Sequence, residues 1–282
     1  MGRYAADLPV DAPGTRTPAH ETRQPADVAP GLLPEGTDLV ATARGLTKIY
    51  GEDDTEVVAL GGVDIDFARG SFTAIMGPSG SGKSTMMHTM AGLDSVTAGD
   101  IVVDGMRISE MNQRQLTRVR RDHIGFVFQA YNLVPTLTAE ENITLPLDIA
   151  RADIDREWFD HIVDVVGLGD RLTHRPSELS GGQQQRVACA RALVGRPSIV
   201  FADEPTGNLD SRAAGEVLGF LRRSVDDFGQ SVVIVTHEPT AAAYSDRVIF
   251  LADGLVVEEL TEPTVETILD TLGRLNPAKE VA

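Results

Sequence analysis

SFTAIM GPSGSGKST, residues 71–85, places an apolar run directly ahead of a glycine-rich loop ending in Lys-Ser-Thr. The loop fits G-x-x-x-x-G-K-[ST], and a strand before it with a helix after it makes chance agreement rare. Gly77, Gly80 and Gly82 let the backbone wrap close to phosphate groups, so that successive N–H groups and the positive end of the following helix face an anion. Pro78, Ser79 and Ser81 fill the remaining loop positions. Lys83 is expected to reach the β- and γ-phosphates of a nucleotide, Ser84 to ligate Mg²⁺, and Thr85 to touch the α-phosphate. Kinases, GTPases, motors and transport ATPases all use such a loop, so it leaves the activity open.

IVFADEP, residues 199–205, narrows the field, because four apolar residues lead into two adjacent carboxylates. A buried strand fixes them at its carboxyl end, where doubly wound sheets bind ligands. Neighbouring residues in extended chain point to opposite sides and so take different tasks. Asp203 is expected to hold Mg²⁺, directly or through water, and Glu204 to orient and polarise an attacking water. Other short β-rich runs are LVATARGL from Leu39, VDIDFARG from Val63, HIGFVFQ from His123, SVVIVT from Ser231 and DRVIFL from Asp246. The later ones are continuously apolar, as strands buried on both faces of a parallel sheet must be. Helical patterns lie between them at Lys83–Leu93, Gln183–Val194 and Asp210–Phe228, and Thr138–Gly169 carries few strand signals. The order predicts an α/β core with an inserted helical subdomain.

Composition agrees with a soluble globular chain: 282 residues, 42% hydrophobic and 24% charged. With 25 basic against 42 acidic residues the formal charge is −17. A chain that acidic is repelled by phosphate backbones, so no nucleic-acid partner is expected. One cysteine, Cys189, excludes an internal disulfide and a cysteine-built zinc site, and reads as a small buried hydrophobe in a reducing cytoplasm. The longest apolar runs, Ile199–Ala202 and Val248–Ala252, fall far short of the about 20 residues that span a bilayer, and the first residues lack a secretory pattern. Residues 1 to about 37 hold six of the fifteen prolines and are expected to lack fixed structure. After residue 255, VETILDTLGRL reads as a terminal helix with Val265, Ile268, Leu269 and Leu272 on one side.

LSGGQQQR, Leu179–Arg186, could be no more than a helix start, with Ser180 as N-cap before two glycines. Taken with the two nucleotide motifs, it resembles the signature of the ATP-binding-cassette (ABC) ATPases, and the resemblance covers roughly residues 38–255. It implies a P-loop NTPase fold of the ABC type: a RecA-like core, an antiparallel β subdomain, and a helical subdomain at about residues 130–195. It also implies ATP and Mg²⁺ as cofactors. In this family two cassettes face head to tail, so Ser180, Gly182 and Gln183 would bind ATP held by the P-loop of a second cassette. One P-loop and one signature per chain then require a partner cassette.

Further likenesses follow. Gln129 resembles the Q-loop glutamine that senses Mg²⁺ and the water; Gly207–Asp210, GNLD, the D-loop; and His237 the switch histidine on the γ-phosphate. Tyr50 resembles the aromatic residue that stacks on adenine, with Val57 packing nearby. The wording of Ile124–Leu147 and His174–Leu193 is similar to the MacB/LolD-type group, whose cassettes drive four-helix permeases. That likeness implies a peripheral protein at the cytoplasmic face of the cell membrane, coupled to an integral membrane permease in export, lipoprotein release or signalling. A cassette that governs a cell-wall hydrolase or cell-division complex without transport stays open. ABC ATPases of DNA repair or translation fit less well, for lack of coiled-coil or zinc insertions and of a second cassette in the chain.

Overall fold

The computed structural model describes residues 29–52 and 55–275. Two sheets form its frame. Strands β1 (Leu39–Tyr50), β2 (Val57–Ala68), β4 (Ala98–Val103) and β5 (Met106–Arg107) make an antiparallel sheet in the order β2-β1-β4-β5. The larger sheet runs β10-β9-β3-β8-β7-β6, from β3 (Phe72–Met76), β6 (Ile124–Val127), β7 (Ile199–Asp203), β8 (Ser231–Val235), β9 (Arg247–Ala252) and β10 (Leu255–Thr261). All its pairings are parallel except β9 with β10.

The continuous apolar runs are explained by burial on both faces. In β3, β7, β8 and β9, Phe72, Val200, Val232 and Val248 point into one core, and Ile75, Phe201, Val233 and Ile249 into the other. Strand geometry sends successive side chains to opposite faces, so a strand between two cores is apolar at most positions and its buried polar residues, such as Arg247, are hydrogen-bonded. The first core packs against α3 (Ala139–Ala150), α4 (Arg156–Val166), α5 (Gly181–Leu193) and α6 (Ser211–Phe228). The second lies under α1 (Lys83–Met90), α2 (Gln113–Asp122) and the antiparallel sheet. The parallel strands leave their carboxyl ends free for the loops after β3, β6, β7 and β8.

Helix starts follow local chemistry. Thr138 and Ser180 close reciprocal capping boxes with Glu141 and Gln183, and Asp155 and Asp210 cap α4 and α6 through their carboxylates. The signature helix begins at Gly181, two residues ahead of the helical pattern read from Gln183, with Ser180 as its N-cap as its place before two glycines allowed.

Three expectations need correction. Residues 29–37, counted with the proline-rich segment, are placed: the Gly31 amide donates to Glu259 Oε2 at 2.9 Å and the Leu33 amide to Asp66 Oδ2 at 3.1 Å. Residues 1–28 of that segment lie outside the described residues. The boundary at 255 falls inside a strand, since β10 forms the antiparallel edge of the larger sheet, held there by the buried Arg247 paired with Glu259 at 2.6 Å. In the terminal helix α8 (Val265–Leu275), Ile268 and Thr271 are buried, but Val265 is 38% and Leu269 54% exposed. The helix is turned so that Arg274 meets Glu258 on β10 at 2.5 Å and Thr271 Oγ1 at 2.9 Å.

Cys189 is fully buried in the first core, and burial pushes its thiol up to about 12. The folded protein is expected to resist a disulfide reagent at pH 8 and to titrate one thiol only after denaturation. Rapid reaction of the native protein would place Cys189 at an accessible site.

Candidate functional site

The loop after β3 bends because two of its glycines adopt backbone conformations that side chains resist. Gly77 has φ +149°, and a Cβ there would lie 2.0 Å from the Leu251 carbonyl oxygen; Gly82 has φ +96°, with 2.4 Å to the Ala59 carbonyl. Both approaches are possible only without a side chain. Gly82 then serves as the N-cap of α1 with no side-chain acceptor, so the first amides of the helix stay open. They face a cavity of about 560 Å³ whose phosphate-loop wall comes from Gly77, Ser79, Gly80, Gly82, Lys83, Ser84 and Thr85. Val57, Val58 and Ala59 of β2 form the opposite wall, and Glu204 and His237 close the third side.

The Lys83 ammonium is turned back onto the loop, donating to the carbonyls of Gly77 at 2.9 Å and Pro78 at 2.7 Å, with Ser81 Oγ at 3.5 Å. Burial lowers its pKa, opposed by the charges of Glu204 and Asp203. One residue on, Ser84 Oγ donates to Asp203 Oδ1 at 3.0 Å, joining the helix start to the end of β7. Hydroxyl and carboxylate are the hard oxygen donors that Mg²⁺ takes, with phosphate and water able to fill its other positions. Asp203 Oδ2 also lies 3.4 Å from His88 Nε2. His88 was not singled out in the sequence. It stands one turn below Ser84 on α1, so the i, i+4 spacing from the motif serine was the available signal.

Glu204 follows Asp203 with φ +44°, a conformation that non-glycine residues adopt only when their surroundings hold them there. Its amide donates to the Val235 carbonyl of β8 at 2.9 Å, and its own carbonyl accepts from Gly207 at 3.1 Å. The carboxylate thus turned meets Gln129 Nε2 at 3.3 Å and His237 Nδ1 at 3.2 Å. Asn208 of the following loop donates to the Gln129 carbonyl at 3.1 Å. The ends of β6, β7 and β8 thereby deliver an amide, a carboxylate and an imidazole to one point beside the phosphate loop.

Tyr50 and Val57 are register partners across β1 and β2. Val57 lines the cavity, while Tyr50 stands beside it with its hydroxyl bound to Asp94 Oδ2 at 2.6 Å. Ser180, Gly182 and Gln183 are not brought to this cavity. Gln183 Oε1 accepts from the Ser180 amide at 2.8 Å, and Gly182 packs so closely on Ala213 that a Cβ would lie 2.8 Å from that side chain. The start of α5 is a second cluster of glycine-bared amides without a lysine.

Comparison with known proteins places this arrangement among relatives. Residues 60–207 match the family described as ABC transporter. An uncharacterized ABC transporter ATP-binding protein of Methanocaldococcus jannaschii is 44% identical over 218 residues, which are 77% of this chain and 97% of that protein. The bacitracin export ATP-binding protein of Halalkalibacterium halodurans is 40% identical, over 78% of this chain and 88% of its own. The macrolide export ATP-binding/permease protein of Bdellovibrio bacteriovorus is 43% identical over 76% of this chain, which spans only 33% of that longer protein. Among solved structures, an ATP-binding cassette seen as a dimer in a post-hydrolysis state, bound to ADP and Pi, has TM-score 0.72 and 39% identity, over 79% of this chain and 98% of its own.

Proposed function

The chain belongs to the ABC transporter family and is one of its ATP-hydrolysing cassettes; from that premise we propose that two cassettes close head to tail over two MgATP and drive a four-helix-type membrane permease. The observation that carries this reading is the meeting of Gln129, Glu204 and His237 beside the phosphate loop, with the signature cluster held away from it. In the head-to-tail pair, the γ-phosphate beside Glu204 and His237 is met from its other side by the signature cluster of the partner cassette. The amides of Gly181 and Gly182, which take no part in the reciprocal cap between Ser180 and Gln183, suit that task.

In this mechanism the amides from Gly77 to Thr85 receive the triphosphate, and the Lys83 ammonium leaves the Gly77 and Pro78 carbonyls for the β- and γ-phosphates. Mg²⁺, held by Ser84 and Asp203 with Gln129 at its edge, would neutralise phosphate charge there. Tyr50 stacks on adenine beside Val57. Glu204 accepts a hydrogen bond from the attacking water and orients it in line with the γ-phosphate. His237, bonded to the same carboxylate, contacts the γ-phosphate, and Gln129 holds the other carboxylate oxygen. Binding of ATP favours the closed pair because each nucleotide is then held by two chains; hydrolysis removes that differential affinity and reopens it.

No helix among the described residues is long and apolar enough to cross a membrane. The permease supplies the membrane passage in this reading, and the cassette sits against it at the cytoplasmic face. The test is to solubilise membranes gently with MgATP present, with the tagged cassette held in its ATP state, and identify what is retained. A stoichiometric integral membrane protein is expected. A soluble or nucleic-acid partner in its place would overturn the permease coupling and leave the ATPase chemistry standing.

A further inference from the structure

The nucleotide site is built from two sheets that share no strand ladder; away from the site they meet where the Gly61 amide donates to the Gly254 carbonyl at 3.0 Å and Arg247 to the Asp66 carbonyl at 2.7 Å. The phosphate loop and α1 belong to the parallel sheet, whereas Tyr50 ends β1 in the antiparallel one. A bound nucleotide must touch both, so the spacing between them enters its affinity.

At that spacing the two layers are clasped by three side chains. Asp94 lies in the turn that follows α1, its amide donating to the His88 carbonyl at 3.2 Å. One of its carboxylate oxygens accepts from the Tyr50 hydroxyl at 2.6 Å, and the other from Lys48 Nζ at 2.8 Å. Lys48 donates also to the Ser95 carbonyl at 2.7 Å and lies 4.7 Å from the centre of the Tyr50 ring.

A lysine that is only 6% exposed costs desolvation, which its carboxylate and carbonyl partners offset. Strand β1 has no need of that pair to stay in place, being laddered to β2 on one side and β4 on the other. Burial would raise the Asp94 carboxyl, yet hydrogen bonds from Lys48, Tyr50 and the Ser95 amide hold it below the usual carboxylate range, so it stays an anion facing both partners. Tyr50 itself is 42% exposed, with its hydroxyl bound to Asp94 and Lys48 over its ring.

We infer that Asp94 and Lys48 are positioning residues for nucleotide binding: they lock the Tyr50 ring to the helix that carries the phosphate loop, and present its free face to the base. The inference rests on the proposed stacking of Tyr50 on adenine. Asp94 fixes the hydroxyl end and Lys48 covers one face, so the ring loses its rotamer freedom before the nucleotide arrives and not at the cost of affinity. The cation against the covered face adds a cation–π contact that resists displacement of the ring.

The test compares equilibrium binding of ATP and of inorganic tripolyphosphate, each with Mg²⁺, to the full chain. Tyr50→Ala is expected to weaken ATP about tenfold, the scale of an aromatic stack. Tyr50→Phe and Asp94→Asn should each weaken ATP about threefold through the loosened ring, and the double variant should be no weaker than either alone, since both cut one clasp. Tripolyphosphate affinity should be unchanged throughout, and in turnover KM should rise with kcat preserved. If Tyr50→Ala weakens ATP while Tyr50→Phe and Asp94→Asn bind as wild type, the clasp is rejected and stacking stands. If Tyr50→Ala binds ATP normally, stacking falls and the inference with it. Equal losses for ATP and tripolyphosphate in Asp94→Asn would make Asp94 a general structural residue and overturn the inference. Should Asp94→Asn not fold, Tyr50→Phe decides alone, because it removes one hydroxyl from a half-exposed ring.

Discussion

Glu204→Gln is expected to keep ATP binding within about threefold of the wild type and to lower steady-state turnover by about 100-fold or more, the scale on which a positioned base contributes. The argument is geometric. Glu204 stands in the left-handed region at φ +44°, pinned by the Val235 carbonyl of β8, and that turn aims its carboxylate at the end of the phosphate loop. Its two oxygens already engage Gln129 and His237 at 3.3 and 3.2 Å. Glutamine has nearly the same shape, so the loop and the cavity should persist, but one oxygen becomes an NH₂ that cannot accept a hydrogen bond from water. The lesion then falls on the chemical step and not on binding. Because a pair of cassettes that cannot hydrolyse cannot reopen, the variant should also elute as an ATP-dependent dimer in gel filtration. Phosphate release, ATP titration and elution volume measured on one preparation check all three. Wild-type turnover, or equal loss of binding and turnover, would remove Glu204 from its proposed role.

How much of this was legible in the sequence depended on how local each signal was. The phosphate loop and β7 were readable because contiguous residues carry both the element and the chemistry: FTAIM is apolar but for Thr73, and IVFA is apolar up to Asp203, since both faces are covered. The left-handed turn at Glu204 was not, because no residue type announces it and tertiary contacts to β8 impose it. Strands β4, β5 and β10 were passed over although each hairpin has a strong short-range signal. Asp104-Gly105 turns β4 into β5 and Asp253-Gly254 turns β9 into β10, with all four residues at positive φ. Their flanking strands give a weak signal: AGDIVV begins with Ala-Gly-Asp, and LVVEELT has its charges on a sheet edge. Helix α2 was hidden for another reason. QRQLTRVRRD buries only Val119, so its apolar period is too thin to read, and Asn112 as a capping-box residue was the remaining clue. The Lys48–Asp94–Tyr50 clasp joins positions more than forty residues apart, and no spacing rule reaches that far.

Lys83→Ala should act on binding itself, weakening ATP by about 10- to 100-fold, as expected for losing a hydrogen-bonded charge from a phosphate site. The ammonium donates to the Gly77 and Pro78 carbonyls, both of which lie in the loop that must receive the phosphates. The lysine therefore holds the loop open for an anion and then moves onto it, and a methyl group does neither. Inorganic tripolyphosphate should lose affinity by a similar factor, in contrast to the Tyr50 variants, since Lys83 reads phosphate and Tyr50 reads the base. The same residue predicts a proton linkage. Burial lowers the Lys83 pKa below its ordinary 10.5, and an approaching triphosphate raises it again, because the protonated form is the one that binds. Wild-type affinity should accordingly fall as pH rises through that lowered value, and Lys83→Ala should lack this part of the slope. Calorimetric titration with ATP across alkaline pH, with a thermal melt to confirm the fold, measures both effects. Unchanged ATP affinity in Lys83→Ala would contradict the phosphate-loop assignment and with it the starting point for Ser84, Asp203 and Glu204.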